Sequence, residues 1–355
     1  MRRAPLLVVA LLLWAASQAW AADRGAWDLV WKSEAAAARL SLQGQIHTMI
    51  LMGPRPVEAI ATASASKGKI RFDYVMGPRR WSLIDDGQNL IWLRPEEQRA
   101  SLMRRPTFVA DRKLAERNYV ARLGAKGTIA GRPTRVVEIL PRAGGPAVWR
   151  LWVDGATSCT LKRERYNVEG KLTSATEYQT VHFGVPLPAT LFGIPPGWER
   201  IGDEQSGERM ELARLTQAAG FAVAKPKYMP AGYALLGGYF QHGEAPREGP
   251  RRPRPPGVEL RYSDGIRVVS VYERAPGPPR PERADRPEGD APRPRHPETP
   301  EGEHRPRRPE GARSGVRAVD NGMERVVRFH GKDRVVMVVG DLTEAELTRI
   351  AKSVG

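Results

Sequence analysis

The chain has 355 residues and carries 56 Lys and Arg against 40 Asp and Glu, a formal net charge of +16. Its single cysteine, Cys159, excludes a disulfide within the chain, so the stability of the fold must come from buried apolar surface. The positive charge suits an anionic partner, such as a lipid headgroup, an acidic peptide or a polyanion. No nucleic-acid-binding motif is present, which argues against DNA or RNA as the partner.

The chain begins with the pattern of an export signal. Arg2 and Arg3 precede an apolar run at residues 6–16, and the sequence AWA at residues 19–21 forms a cleavage site. The apolar run is shorter than the roughly 20 residues of a spanning helix, which makes an uncleaved anchor the weaker alternative. We therefore expect residues 1–21 to be a cleaved signal peptide and the mature protein to be soluble and periplasmic.

Residues 40–183 alternate apolar and polar side chains in short runs, the pattern of a large antiparallel sheet. Two stretches, residues 26–40 and 110–123, break this period and predict helices that cover the apolar face of the sheet. We predict an α+β fold with a large antiparallel sheet, covered by helices, over residues 22–198. Seven side chains on its apolar face are candidates to line a lipid-sized cavity, with a filled core as the alternative: Leu42, Ile46, Phe72, Tyr74, Trp81, Leu83 and Trp92.

A second, smaller α+β domain with an antiparallel sheet and two helices is predicted for residues 208–355, after a linker at 199–207. Its first helix is expected to end at Gly220. Its last helix carries the strongest start signal of the chain, because Thr343 and Glu346 have the spacing of a capping box.

Two Pro/Arg-rich tracts, residues 241–256 and 275–315, interrupt this second domain. They hold 16 of the 31 prolines and no Leu, Ile, Val, Met, Phe, Trp or Tyr, so they cannot bury enough apolar area to fold, and we predict disordered insertions. Between them, residues 258–273 predict a β-hairpin. A two-residue turn at Asp264-Gly265 would pair Leu260 with Val269.

The sequence lacks the motifs of common enzyme classes. It has no HExxH, CxxC or GxSxG, and its histidines do not fall in metal-ligand spacings. Asp85 and Asp86 are a conceivable acid–base pair, but the adjacent Gly87 favours a turn. We therefore expect a non-enzymatic protein without catalytic residues, cofactor or metal, and a hydrolase is the least favoured reading.

Five passages together resemble the RseB/MucB family of exported regulators of sigma-E. In the second domain they are LRYSDGIRVVSVYE, PKYMPAGYAL and VVMVVGDLTEAELTRIAKSVG; in the first they are YVARLGAKGTIAGRPTRVVEILP and RLWVDGATSCTLKRERYNVEGKL. The resemblance implies that the first domain is a half-barrel sheet covered by helices, like that of the lipoprotein carrier LolA, and that the protein has no enzyme activity. The positions that carry over as landmarks, and as candidate partner contacts, are Trp152, Asp154, Tyr262, Ser263, Asp264 and Gly265.

The resemblance also implies a function. Members of the family bind the exported part of a membrane anti-sigma factor and shield it from proteolysis, and a lipid-like signal in the large domain is thought to relieve this. The alternative is a periplasmic lipid or lipoprotein carrier that uses the half-barrel cavity. Either function is compatible with a homo-oligomer.

Overall fold

The protein is described here by a computed structural model. The predicted signal peptide and most of both Pro/Arg-rich tracts lie outside the residues that it describes, which are 24–53, 55–77, 79–104, 111–202, 208–242, 255–275, 316–331 and 333–354.

Twelve strands form a large sheet. In chain order they are β1 (Leu42–Met52), β2 (Arg55–Ser66), β3 (Lys69–Met76), β4 (Arg79–Asp85), β5 (Asn89–Arg94), β6 (Arg99–Arg104), β7 (Tyr119–Ile129), β8 (Arg132–Pro141), β9 (Trp149–Asp154), β10 (Thr160–Tyr166), β11 (Leu172–Phe183) and β12 (Glu199–Gly202). Their spatial order is β12-β6-β5-β4-β3-β2-β1-β11-β10-β9-β8-β7. β12 pairs with β6 in parallel, so the predicted antiparallel sheet is confirmed except at this edge, where the predicted linker contributes a strand.

Two helices belong to the large sheet. α1 occupies residues 24–37 and α2 Arg112–Asn118. α1 packs Trp27 and Val30 against Val137 and Leu151 of the sheet, as cover for its apolar face. The helix predicted over 110–123 is wrong beyond Asn118, because from there Tyr119 and Ala121 alternate as buried residues of β7 and the backbone pairs with β8.

The opposite face of the sheet is also covered at one end. There Ile84, Ile91 and Leu93 pack against Phe192 and the segment that follows it up to Trp198. In the sequence this Pro/Gly-rich segment reads as the end of a domain. In the structure it covers β4, β5 and β6, and it therefore leaves the aromatic side chains of those strands to the other face.

Seven strands and two helices form the small unit, residues 208–354. The strands are β13 (Glu208–Met210), β14 (Ala234–Gln241), β15 (Gly257–Ser263), β16 (Val268–Arg274), β17 (Val316–Asp320), β18 (Arg325–His330) and β19 (Val335–Gly340), and the helices are α3 (Leu212–Ala219) and α4 (Glu344–Lys352). Their order β13-β14-β15-β16-β19-β18-β17 is antiparallel throughout. Both helices pack on one face, and the predicted capping box and glycine cap are confirmed.

The hairpin of β15 and β16 has a longer turn than predicted. Leu260 pairs with Val271 instead of Val269, so the register differs by two residues and the apolar set stays on one face. The cause is the Asp264 side chain, which accepts hydrogen bonds from the backbone N–H groups of Ile266 and Arg267 at 3.0 and 2.7 Å. Asp264 is thus the first residue of an Asx turn, and the turn extends to Arg267.

This turn joins the small unit to the large unit, residues 24–202, and we call the contact the joint. The Tyr119 hydroxyl donates to the Asp264 carboxylate at 2.5 Å, and Asn118 donates to the backbone carbonyls of Gly232 and Asp264 at 2.9 and 2.8 Å. Gly265 lies so close to α2 that a Cβ atom there would stand 2.3 Å from the backbone nitrogen of Ala115. A side chain at this position is therefore excluded while the units are in contact.

Two further turns of the small unit reach the same end of the large sheet. Asp341 accepts from the backbone N–H of Val168 at 3.1 Å and pairs with Arg267 at 3.1 Å. The Gly53 N–H donates to the Asn321 carbonyl at 2.8 Å. The joint is therefore held at three places by backbone and buried polar groups.

Both Pro/Arg-rich tracts leave the small sheet at the end away from the joint. Ser263 and Val268 flank the turn at the joint, whereas Gly257 and Arg274 pair with each other at the other end. Gln241 pairs with Gly257, and Val316 pairs with Phe329 at that same end. Chain length inserted there does not have to pass through the joint.

We predict that Gly265→Ala opens the joint, whereas Gly87→Ala does not. Both glycines follow an aspartate in a turn and have similar φ angles, +100° and +92°, but a Cβ at Gly87 meets open space. Each substitution should therefore cost roughly 1–3 kcal/mol of backbone strain, and only Gly265→Ala adds the clash with α2. The measurement is small-angle X-ray scattering with thermal unfolding. Equal radii of gyration for the two variants would contradict the role of Gly265.

We also predict that replacing residues 275–315 with a flexible linker leaves the melting temperature nearly unchanged. The tract has no large apolar side chain to lose. Its ends lie three strand spacings apart, roughly 14 Å, which a Gly/Ser linker of about eight residues can span. Differential scanning calorimetry of the two proteins checks this, and a large drop would show that the tract packs on the small unit.

Candidate functional site

An aromatic ladder lies on the inner face of the large sheet, which we define as the face that α1 covers. The register of the strands places Ile46, Tyr74 and Trp81 in one cross-strand row on this face. The rings of Tyr74 and Trp81 stack with centroids 3.9 Å apart, and those of Trp81 and Trp92 with centroids 5.2 Å apart. Phe72 extends the ladder, 6.3 Å from Tyr74.

The stacking determines what the ladder can bind. Because Tyr74 and Trp81 use their ring faces against each other, the ladder presents ring edges and the outer side of Trp92, which is 39% exposed. An acyl chain or an apolar side chain can lie along these ring edges and against this side of Trp92. The ladder therefore favours an apolar ligand.

All seven predicted cavity residues share the inner face. Phe72 pairs with Leu83, which pairs with Trp92, so these three residues form a second cross-strand row beside that of Tyr74 and Trp81. Leu42 and Ile46 are buried; Leu42 packs against Cys159 and other residues at the far end of the strands. The exposed part of the candidate surface is thus the ladder, and Leu42 is part of a filled core.

Two arginines that the sequence analysis missed lie on the same inner face. Arg163 and Arg165 stand 5.0 and 6.0 Å from the ring centroid of Trp149, on the neighbouring strand. The signal was the alternation within TLKRERY, in which Lys162 and Glu164 pair with each other at 3.2 Å and leave the arginines to the other face. The inner face thus combines an apolar ladder with cationic groups.

Asp154 and Trp152 lie at the end of β9 that is away from the joint. Arg132 binds the Asp154 carboxylate through two hydrogen bonds of 2.9 and 3.0 Å, and Thr157 donates two more. Burial alone would raise the pKa of Asp154, but these hydrogen bonds outweigh it and hold the pKa below its ordinary value. Trp152 lies under the ammonium group of Lys162. Asp154 therefore organises its own turn.

The other four landmarks lie at the joint. Tyr262 is buried in the core of the small unit, and the Ser263 hydroxyl donates to the Arg267 carbonyl at 2.9 Å. Burial, reinforced by the Asp264 carboxylate, raises the pKa of Tyr119 well above its ordinary value, so its hydroxyl remains a donor. The structure does not bring the six landmarks together: two lie at one end of the large sheet and four at the other.

The described residues show little that resembles catalytic chemistry. None of their His, Cys, Asp and Glu side chains form a group of three or more that could hold a metal ion. Burial raises the pKa of the Cys159 thiol to about 11, so the thiol is protonated at neutral pH. Asp85 and Asp86 accept backbone N–H groups of their own turn, as predicted. Within the same residues, no helix has the length and apolar character to cross a membrane.

Comparison with known proteins places this fold. Residues 68–192 match the model of the MucB/RseB N-terminal domain. The structure is similar to that of MucB in complex with MucA(peri), with a TM-score of 0.58 and 18% identity, covering 92% of this chain and 97% of that one. It is also similar to MucB in the Pseudomonas aeruginosa MucA/MucB complex, with a TM-score of 0.59, 18% identity and coverage of 93% and 98%. A search of curated protein sequences finds no match.

A structure of MucB alone superposes with a TM-score of 0.50 and 17% identity, covering 93% of this chain and 97% of that one. The similarity therefore extends over both sheets. Residues 68–192 therefore match the MucB/RseB N-terminal domain, and the chain shares the fold of MucB along nearly its whole length.

Proposed function

We propose that this protein is an exported, non-enzymatic regulator that binds the extracytoplasmic part of a membrane anti-sigma factor and shields it from proteolysis. The observation that carries the proposal is the match to MucB in its complexes with MucA, which covers both units of the chain. The export pattern at the N-terminus supports a periplasmic location.

The joint supports a role for both units in holding the partner. Asn118, Tyr119 and Asp264 fix the orientation of the small unit on the large one through buried hydrogen bonds. Two surfaces held at a fixed angle bind one partner more tightly than two free surfaces, because less orientational freedom is lost on binding. In this proposal Tyr262, Ser263, Asp264 and Gly265 act as positioning residues, and Trp152 and Asp154 support the partner surface of the large unit.

The inner face supports release by a lipid-like signal. An anionic amphiphile could place its acyl chain along the ladder and its headgroup on Arg163 and Arg165. Burial raises the pKa of Glu324, in the small unit, and the positive charge of Arg165, in the large unit, lowers it. In this proposal a headgroup that binds Arg165 offsets that charge and thereby weakens the joint.

The alternative function is a periplasmic lipid or lipoprotein carrier. The same ladder favours it, since an apolar inner face can transport a lipid as well as sense one. A carrier does not require a particular orientation of the small unit, whereas a regulator that uses both units does. The Gly265→Ala variant therefore separates the two functions.

We predict that the mature protein captures a membrane-anchored anti-sigma factor from envelope extracts, and that Gly265→Ala captures at least fivefold less. The matched control is Gly87→Ala, which carries similar backbone strain without the clash at α2. The readout is a pull-down quantified by mass spectrometry. Recovery of lipid and lipoproteins by all three proteins, without an anti-sigma factor, would contradict the regulator and support the carrier.

We also predict that Arg163→Gln weakens the binding of lysophosphatidylglycerol roughly tenfold, because a hydrogen bond to a charged group is lost. The control is Arg122→Gln. Arg122 neighbours Ala121 along β7 and is exposed on the opposite face of the sheet. The increase in Trp fluorescence on titration reports binding. Equal affinities for the two variants would place the ligand away from the inner face.

A further inference from the structure

We propose that the ends of the hairpins β1–β2 and β3–β4 form a docking surface for an anionic lipid bilayer. We call it the tip surface, and it comprises Met52, Arg55, Ile60, Val75, Arg79 and Arg80. Met52, Arg55 and Arg79 lie on the inner face, beyond the ladder, and Ile60, Val75 and Arg80 lie on the opposite face.

The two hairpins have the same turn. The sequence Met-Gly-Pro-Arg occurs at residues 52–55 and again at residues 76–79. Gly53 and Gly77 have positive φ angles of +63° and +60°, and a Cβ at either position would meet no atom within 4 Å. Both turns lie at the same end of the sheet, and each is followed by arginine. The β1–β2 turn also contacts the small unit, because the Gly53 N–H donates to the Asn321 carbonyl.

Exposed apolar side chains lie at or near these hairpin ends, and Ile60 is set back along β2 by five residues from Arg55. Met52 is 63% exposed, Val75 58% and Ile60 52%. Ile60 pairs with Val75 across the strands, and Val75 pairs with Arg80, so apolar and cationic groups are direct neighbours. Exposed apolar groups that lie together mark interaction sites in soluble proteins.

The cations of the tip surface are free to act. Among the described residues no carboxylate forms an ion pair with Arg55, Arg79 or Arg80. The neighbouring acids are engaged elsewhere: Glu58 binds His47, and Glu97 binds Arg94 and Arg99. The remaining acid nearby is Glu96, which is exposed in the adjacent β5–β6 turn. One carboxylate against three arginines gives the tip surface a net positive charge.

The shape favours a bilayer over a protein partner. A peptide or protein ligand usually binds in a groove or on a flat, well-packed patch, whereas the tip surface consists of two separate hairpin ends. Apolar tips enter the headgroup region, and long arginine side chains remain at its phosphates. Each arginine near an anionic surface strengthens binding roughly fivefold. The Gly53 contact to Asn321 lies at this same end, so docking would bring the joint close to the membrane.

Flotation of the mature protein, residues 22–355, with vesicles tests the proposal. We expect binding to phosphatidylcholine vesicles that contain about 30% phosphatidylglycerol, little binding to pure phosphatidylcholine, and a loss of binding at high salt. The triple variant Arg55→Gln, Arg79→Gln, Arg80→Gln should bind at least tenfold less. The double variant Met52→Ser, Val75→Thr should also bind several-fold less.

The matched controls are exposed residues of the small unit. Arg214→Gln removes an exposed arginine of α3, and Val319→Thr alters a valine of β17 that is 61% exposed. Both should bind vesicles as the unaltered protein does, and all variants should keep its melting temperature. Equal binding to neutral vesicles, or full binding by the triple variant, would overturn the proposal. A triple variant that keeps vesicle binding but loses capture of a protein would identify the tip surface as a protein site instead.

Discussion

The side chain of Asp264 is buried between the two units and accepts hydrogen bonds from both. It receives the backbone N–H groups of Ile266 and Arg267 within its own turn and the hydroxyl of Tyr119 from the large unit. A buried carboxylate is stable only when its oxygens are occupied. The same side chain thus sets the turn and requires the large unit to be in place, which couples the local structure of the hairpin to the arrangement of the whole molecule.

The joint also connects to the inner face. Asp341 links Arg267 to the backbone of Val168, which follows the last residue of β10 by two positions. β10 carries Arg163 and Arg165 on the inner face, and the positive charge of Arg165 lowers the pKa of Glu324 of the small unit. Burial raises the pKa of Asp341, and the charge of Arg267 opposes this rise. Polar groups therefore follow one another from the joint to the strand that carries the arginines of the inner face.

The sequence predicted the elements better than their contacts. Alternation of side chains identified many strands of both sheets, and the capping box at Thr343 and Glu346 identified the last helix, because these signals are local. The end of α2 at Asn118 was missed, since pairing of β7 with a distant strand decides it. Cover of Ile84, Ile91 and Leu93 by the segment around Phe192 was also missed for this reason.

In the candidate site, too, local patterns were predictable from the sequence and contacts between distant segments were not. The ladder residues were identified because aromatic side chains alternate along β3, β4 and β5, and the structure places them on one face. Arg163 and Arg165 were overlooked because a charged residue in a strand is expected to face water. The function of Asp264 and Gly265 could not be predicted from the turn pattern, because what decides it is the approach of Ala115 and Tyr119 from another part of the chain.

The placement of the two Pro/Arg-rich tracts has a consequence for engineering the protein. Their flanking residues, Gln241, Gly257, Arg274 and Val316, all lie at the end of the small sheet that is remote from the joint. Loop-closure entropy rises only slowly with length, so residues added there do not load the contacts of the joint. That end of the molecule is thus the place where we expect a fluorescent protein or an affinity tag to be inserted without loss of the arrangement of the two units.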